Sequence, residues 1–549
     1  MSILTRRTFL KSGAMGAAAF GLHSAIGGPT RLWAGPPRDL VFRPYPHPSM
    51  PAMSFAYLTD ETEDPFLSST AVRPEGIVTG EEAGKKKFSV NARWYVEGFG
   101  YIWLAADNAG RYFDRESSVR GDQFNLNYEF ARSREARNRK VRKQYESAGT
   151  AFSGEVKHLM DLSSELLEDA TRQQSNGERC AKFSDKSLLW ALHAGEALEL
   201  EHARSVIAAT QRKDKVWFGC ETRQYVWAKH EDFTKRFAEL FNFATVTHYV
   251  WDTWYELFEP SEGVYNWGIK DNIVNWLMRN DITIQGRPLF WFHPTVTPEW
   301  LKNKSFDQVR AYVDTHTRNV LNHYGDKILQ WEIVNEFHDW ANIHDFSPEQ
   351  ITQIVRQACD RTKEVNPKVV RILNNCCPWA DYAARGRKAR MPATRPGRSP
   401  RKFLQDLQEA GVDYDVLGIQ IYFPQRDLSD IARLLERLAV FGKPIYITEI
   451  GASSNLIAPT NTGAITGSAE EPYAWHRHWD EDLQADWLEQ VYTIYYSKPY
   501  VKAINWYDFA DFRPFIINGG LIREDATVKR SFNRMKTLLE TWNSLPSRG

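Results

Sequence analysis

From about residue 214 onward, short apolar and β-branched runs alternate with amphipathic helical stretches, and this alternation restricts the possible folds of the 549-residue chain more than any other feature. The runs are VWFGCE (216–221), FATVTH (243–248), ITIQGRPLFWF (282–292), ILQWEIVNE (328–336), VVRILNN (369–375), VLGIQIYF (416–423), PIYITEIG (444–451) and VKAINWYDF (501–509). A near-continuous apolar run followed by a helix reads as a strand buried on both faces in a parallel sheet. Eight such units in succession predict an α/β fold in which the sheet closes into a (β/α)8 (TIM) barrel ringed by helices. Punctuation between the runs agrees. Ser347, Pro348 and Gln350 make a capping-box start, and Gly325, Gly411 and Gly442 stand where helices should stop.

In such a barrel, chemistry gathers at the C-terminal ends of the strands. Two of those ends carry a glutamate: Glu336, which follows the fourth run beside Asn335, and Glu449, in ITEIG of the seventh. A charged group at the end of a buried strand costs free energy unless something uses it. Two carboxyl groups across one pocket suit cleavage of a glycosidic bond, one protonating the leaving oxygen while the other attacks the sugar carbon. Their environments must then differ, since one must hold a proton near neutral pH and the other must not. Asn335 is placed to hydrogen-bond a sugar hydroxyl. Trp291 and Trp506 read either as platforms under a sugar ring or as barrel-top packing. Gln420 reads as a donor to the sugar or to the attacking carboxylate, or as a satisfied core amide. His293 reads as a sugar contact or a structural imidazole.

The barrel segment resembles glycoside hydrolase family 10, the xylanase-type (β/α)8 barrel with paired glutamates on strands four and seven. WEIVNE is similar to the family's acid/base segment and ITEIG to its nucleophile segment. EPSEGVYNW (259–267), GRPLFWFHP (286–294), LGIQIYF (417–423) and INWYDFAD (504–511) follow in the family's order. The resemblance implies Glu336 as acid/base, Glu449 as nucleophile, and a retaining, endo-1,4-β-xylanase-like hydrolase acting by double displacement on a plant or algal polysaccharide, with no metal and no cofactor. The chain departs from the family pattern at three places. Where the family's strand-two segment supplies Glu, Asn and Lys to the sugar, counting back from Glu259 gives Val250, Trp251 and Trp254. A strand-three histidine is replaced by Arg287. The strand-six histidine that touches the nucleophile is replaced by Tyr422, whose phenol can still donate to Glu449. These departures motivate an alternative, a non-catalytic carbohydrate-binding protein on a diverged hydrolase barrel.

Upstream, residues 38–130 carry short aromatic and β-branched runs broken by Gly, Asp and Asn, and read as an antiparallel β-rich accessory domain, either carbohydrate-binding or a structural prop for the barrel. Residues 131–212 read as a helical connecting region, with the basic run between Arg132 and Lys143 as one solvated helix face. Barrel numbering then starts at 213. Residues 1–28, with Arg6 and Arg7 before a short small-residue apolar stretch, resemble a twin-arginine export signal. That implies a periplasmic or secreted protein. Lys plus Arg and Asp plus Glu are equal at 69 each, so no overall field draws the chain to nucleic acid or a membrane surface. The expected partner is a polysaccharide or oligosaccharide. Its 20 Trp and 23 Tyr are compatible with that, since flat amphipathic rings stack on sugars. A basic stretch after the fifth run (378–402) includes Arg385, Arg387 and Arg390 and reads as a reader of an acidic sugar or as a solvated loop. In AWHRHW (474–479), His476 and His478 lack a nearby acid or Cys at ligand spacing, so a rim of aromatic rings is the reading.

Overall fold

The structure is a computed structural model that describes residues 39–80, 86–114, 123–210, 212, 214–252, 257–386, 397–422, 425–455 and 472–546. The stretch read as an export signal lies outside these residues, as do Trp254, Arg387 and Arg390.

Seven short strands come first: β1 (Val41–Arg43), β2 (Ala56–Thr59), β3 (Ala71–Arg73), β4 (Gly76–Val78), β5 (Ser89–Val96), β6 (Gly100–Ala106) and β7 (Gln123–Asn125). They form two sheets, ordered β3-β4-β1-β7 and β2-β5-β6, antiparallel except for the β1–β7 pair. Three helices follow: α1 (Leu126–Ser147), α2 (Gly154–Arg172) and α3 (Gly177–Ala209). Helix α1 begins earlier than the sequence suggests. Its opening FNLNYEF reads as strand by its aromatic content, yet Asn125 accepts from the Tyr128 amide at 3.2 Å and caps the helix there.

The barrel strands are β8 (Trp217–Glu221), β9 (Phe243–Thr247), β10 (Thr283–Arg287), β11 (Gln330–Asn335), β12 (Val370–Asn375), β13 (Val416–Tyr422), β14 (Ile445–Gly451) and β15 (Val501–Trp506), which pair in parallel and close as β8-β9-β10-β11-β12-β13-β14-β15. Around them run α4 (His230–Leu240), α5 (Gly268–Arg279), α6 (Glu299–Lys302), α7 (Phe306–Tyr324), α8 (Pro348–Val365), α9 (Asp381–Ala384), α10 (Pro400–Glu409), α11 (Leu428–Ala439), α12 (Glu481–Ser497) and α13 (Arg530–Thr541). The capping box at Ser347 and Gln350 is present, with both reciprocal hydrogen bonds made. Gly286 matters for closure. It sits opposite Trp331 of β11, and a Cβ there would meet the indole ring at 2.3 Å, so only glycine lets the two strands pair around that side chain.

One apolar core runs through both parts of the molecule, from Phe42 and Trp94 of the first sheets through Leu188 and Leu192 of α3 into the barrel. The seam also carries polar ties. Tyr101 and Trp103 of β6 donate backbone N–H groups to the carbonyls of Tyr473 and Gln425, at 2.8 and 2.9 Å. The basic run of α1 is only partly a solvated face. Arg134 is buried on Asp427, and Arg137 pairs with Asp107 at 3.4 Å, because α1 packs its cationic side against the start of α11. The first sheets therefore stand beside the loops that leave β13 and β14, on the rim where barrel chemistry is done. No helix of the described residues is long and apolar enough to cross a membrane.

Candidate active site

Glu336 is the first residue past β11, with a left-handed backbone at φ 59°. A non-glycine residue held there stores about 1 to 3 kcal/mol of strain and persists only where its surroundings over-determine it. The surroundings here do so. The Glu336 amide donates to the Asn374 carbonyl at 2.9 Å, and its own carbonyl accepts from Ala341 at 3.0 Å. Its carboxyl is buried and held at both oxygens: Gln420 Nε2 donates to Oε1 at 3.0 Å and the Trp291 indole to Oε2 at 2.8 Å. Burial, reinforced by the nearby Glu449 charge, pushes the Glu336 carboxyl up to about 7, against the pull of those two donors.

Glu449 lies inside β14, in register with Gln420 of β13. The pairing slips by one residue just before Gln420, and β11 carries a similar irregularity between Glu332 and Val334. Such bulges re-aim side chains beside active sites. Glu449 Oε1 accepts from Arg287 Nη2 and, at 3.4 Å, from Asn374; Oε2 accepts from the Tyr422 hydroxyl. These neighbours stabilise negative charge on Glu449. Asn335 completes the frame by accepting from both Gln420 and Asn374 at 3.2 Å. The two carboxyl groups thus belong to one hydrogen-bonded unit, joined through Asn335, Gln420 and Asn374.

The remaining residues singled out from the sequence fall in different places. Trp291 is half-buried, with its ring 4.9 Å from His293 and 5.0 Å from Tyr249. His293 is nearly buried and shares a hydrogen bond with Thr295 at 2.7 Å. Arg287 is 1% exposed and sits among carboxylates beneath the site. Trp506 does not offer a sugar platform. Its ring is fully buried between the barrel and α12, against Trp487 and Tyr492, and its N–H donates to the Gly519 carbonyl at 2.8 Å. Likewise Trp475 and Trp479 are buried against the upstream module and do not form a rim. Val250 is buried and Trp251 half-buried. Arg385 lies 3.5 Å over the Phe55 ring, and Arg398 of the same basic stretch is tied to Asp339 and Asp406 at 3.0 and 2.9 Å.

Sequence reading missed a second layer. Glu221 at the end of β8 and Glu332 of β11 approach the Arg287 guanidinium at 3.6 and 3.5 Å, so three buried carboxyl groups share one cation. Burial pushes Glu332 up to about 8, with Arg287 opposing and Glu449 adding to the rise. Burial lowers the affinity of Arg287 for its proton, but Glu449 and Glu332 outweigh it and hold the group well above the usual range. Tyr507 closes the layer, edge-on to Tyr422 at 5.6 Å. Two signals in the sequence point to these residues. Glu332 stands four residues before Glu336 in the same apolar run, and Glu221 is a third strand-end carboxylate.

The family model for glycosyl hydrolase family 10 matches residues 207–517. Endo-1,4-beta-xylanase 1 of Arabidopsis thaliana is 22% identical over 320 residues, 57% of this chain and 29% of its own length. Endo-1,4-beta-xylanase B of Thermotoga neapolitana is 24% identical over 272 residues, 48% of this chain and 67% of its own. Among solved structures, xylanase 10B from Thermotoga petrophila RKU-1 in complex with xylobiose superposes with a TM-score of 0.45 at 20% identity, over 62% of this chain and 97% of that one.

Proposed function

This chain belongs to glycosyl hydrolase family 10, and from that premise we propose that it is a retaining β-glycoside hydrolase in which Glu449 is the nucleophile and Glu336 the acid/base. The observation that carries the reading is the contrast between the two carboxyl groups: Glu336 buried and pushed up to about 7, Glu449 accepting from Arg287 and Tyr422. In the first step a Glu449 oxygen attacks the anomeric carbon, the glycosidic C–O bond breaks, and the Glu336 proton goes to the leaving oxygen. In the second, water attacks the same carbon, its proton passes to Glu336, and Glu449 departs as carboxylate. Trp291 and Gln420 hold the Glu336 carboxyl in place for both transfers.

The substrate class we assign is a β-linked plant or algal polysaccharide or its oligomers, endo-1,4-β-xylan-like in backbone. The names of the relatives and the paired glutamates support it. The apolar Val250 and the Trp251 ring, standing where the family reads hydroxyls, favour a sugar recognised there by ring stacking over one recognised by direct polar contacts. The Arg6–Arg7 leader favours action in the periplasm or outside the cell.

Glu449→Gln tests the mechanism. Release from an aryl β-glycoside should be lost while the melting temperature and oligosaccharide binding persist; unchanged turnover rejects the assignment. Proton NMR of the first-formed sugar should show the β anomer, and an α anomer means inversion. The alternative, a binding protein on a diverged barrel, is motivated by Val250, Trp251 and Trp254 standing where the family's strand-two segment supplies polar sugar contacts. Oligosaccharide binding by the unaltered protein without any Glu336-dependent release would select it.

A further inference from the structure

Helix α3 presents His193 and Glu196, three residues apart, on one face toward the segment that precedes α12. His476 meets them from that segment, held at φ 51°, a left-handed backbone that a β-carbon disfavours. One donor atom from each of the three residues lies within 4.8 Å of the other two. His476 Nε2 donates to Glu196 Oε2 at 2.6 Å, and the two imidazole rings stand 5.1 Å apart.

The surroundings are built for more than a single ion pair. Glu196 Oε1 accepts from the Trp475 indole at 2.9 Å and the Leu428 amide at 3.0 Å, which fixes the carboxylate and leaves Oε2 facing the histidines. Outer donors of this kind orient metal ligands. The Phe99 ring packs edge-on to both imidazoles at 5.0 and 4.9 Å, and Trp475 stacks on His476 at 4.0 Å. A lone carboxylate balances one imidazolium and no more.

We propose that His193, Glu196 and His476 form a zinc site that ties α3 to the segment leading into α12, at the seam between the upstream module and the barrel. Two imidazoles and a carboxylate are a donor set that Zn²⁺ accepts in tetrahedral geometry, with the fourth position left for water. At bond lengths of about 2.0 to 2.2 Å the ligand atoms stand about 3.3 Å apart, so Glu196 and His476 separate slightly and His193 moves in.

The test uses the untagged full-length chain, stripped with a chelator and dialysed at pH 7.5. Zinc chloride should bind with one equivalent per chain at micromolar Kd or tighter, and Co²⁺ should give the visible bands of a tetrahedral ion. His193→Gln and His476→Gln should weaken zinc by at least about a hundredfold, beyond the effect typical of outer-shell partners. His478→Gln should leave it unchanged. A stripped protein that takes up no zinc, a Co²⁺ spectrum without tetrahedral bands, or equal affinity in His193→Gln overturns the site. The cobalt spectrum of the unaltered protein keeps the question answerable if a variant fails to fold.

Discussion

Replacing Arg287 by methionine should destabilise the protein in a way that depends on pH. The guanidinium touches Glu449 and lies 3.5 and 3.6 Å from Glu332 and Glu221, all of them buried. Removing one partner of a buried charge cluster typically costs about 3 to 5 kcal/mol, because the opposite charges are left without compensation. Glu332 gives the sign. Its folded value of about 8 exceeds the ordinary 4.5 even with Arg287 present, so its contribution to stability is complete below the unfolded value and is lost as pH rises through about 8. Arg287 lowers both Glu332 and Glu221, and without it both rise further. The variant therefore loses about 3 to 5 kcal/mol at pH 9, where Glu332 is charged and left without its counter-ion, and less at pH 7, where Glu332 holds its proton in both proteins. Urea denaturation of both proteins at the two pH values reads this directly, through the midpoint at unchanged slope. A loss below about 1 kcal/mol, or an equal loss at both pH values, refutes the view that Arg287 is the counter-ion of this cluster. Arg287→Lys should fall between the two, since it keeps the charge but loses the planar fork.

Other consequences follow from single contacts. Glu336, pushed up to about 7, should set the alkaline limb of kcat/KM, with activity falling above that pH; Glu336→Gln should abolish the limb and cost about 10²- to 10⁴-fold on substrates with poor leaving groups. Trp291→Phe removes a donor that stabilises the charged form of Glu336, so the limb should move upward by about 0.4 to 1.1 pH units, from a hydrogen bond worth about 0.5 to 1.5 kcal/mol; an unmoved limb contradicts the contact. Trp506→Phe should lower stability by about 2 to 3 kcal/mol through a cavity and a lost hydrogen bond, while KM stays unchanged, and a raised KM would mean that the ring meets the sugar after all.

The barrel was legible because its signal is local. Each strand is a short apolar run bounded by polar turns, and five of the intervening helices (α7, α8, α10, α11 and α12) carry side-chain N-caps, so the eight-fold alternation survives even where propensities are weak. Boundaries failed where one signal masked another. In α1 the aromatic residues of FNLNYEF outweighed the Asn125 cap. Facing was harder than existence. In β15 a one-residue phase decides whether a ring points to the lumen or to the helices, and Trp506 takes the helical side while Tyr507, next along the chain, joins Tyr422 above Arg287. The polar Asn505 beside them was the available cue, since a buried amide in a barrel strand belongs with the polar interior.

What no local pattern carried is the wiring between strands. Gln420 joins Asn335 to Glu336, Asn374 joins Asn335 to Glu449, and Arg287 joins Glu449 to Glu332 and Glu221, each link spanning dozens of residues. The same distance hides the His193, Glu196 and His476 cluster, whose members lie on α3 and on a segment 280 residues further along. For the active site this wiring has a direct consequence. A carboxyl that is buried beside another is raised by its neighbour's charge, so any residue that neutralises Glu449 also lowers Glu336. Arg287 acts on both: it binds Glu449 and pulls Glu336 down, so an arginine at this position opposes the rise that burial and the Glu449 charge impose on Glu336, which a neutral histidine would not do.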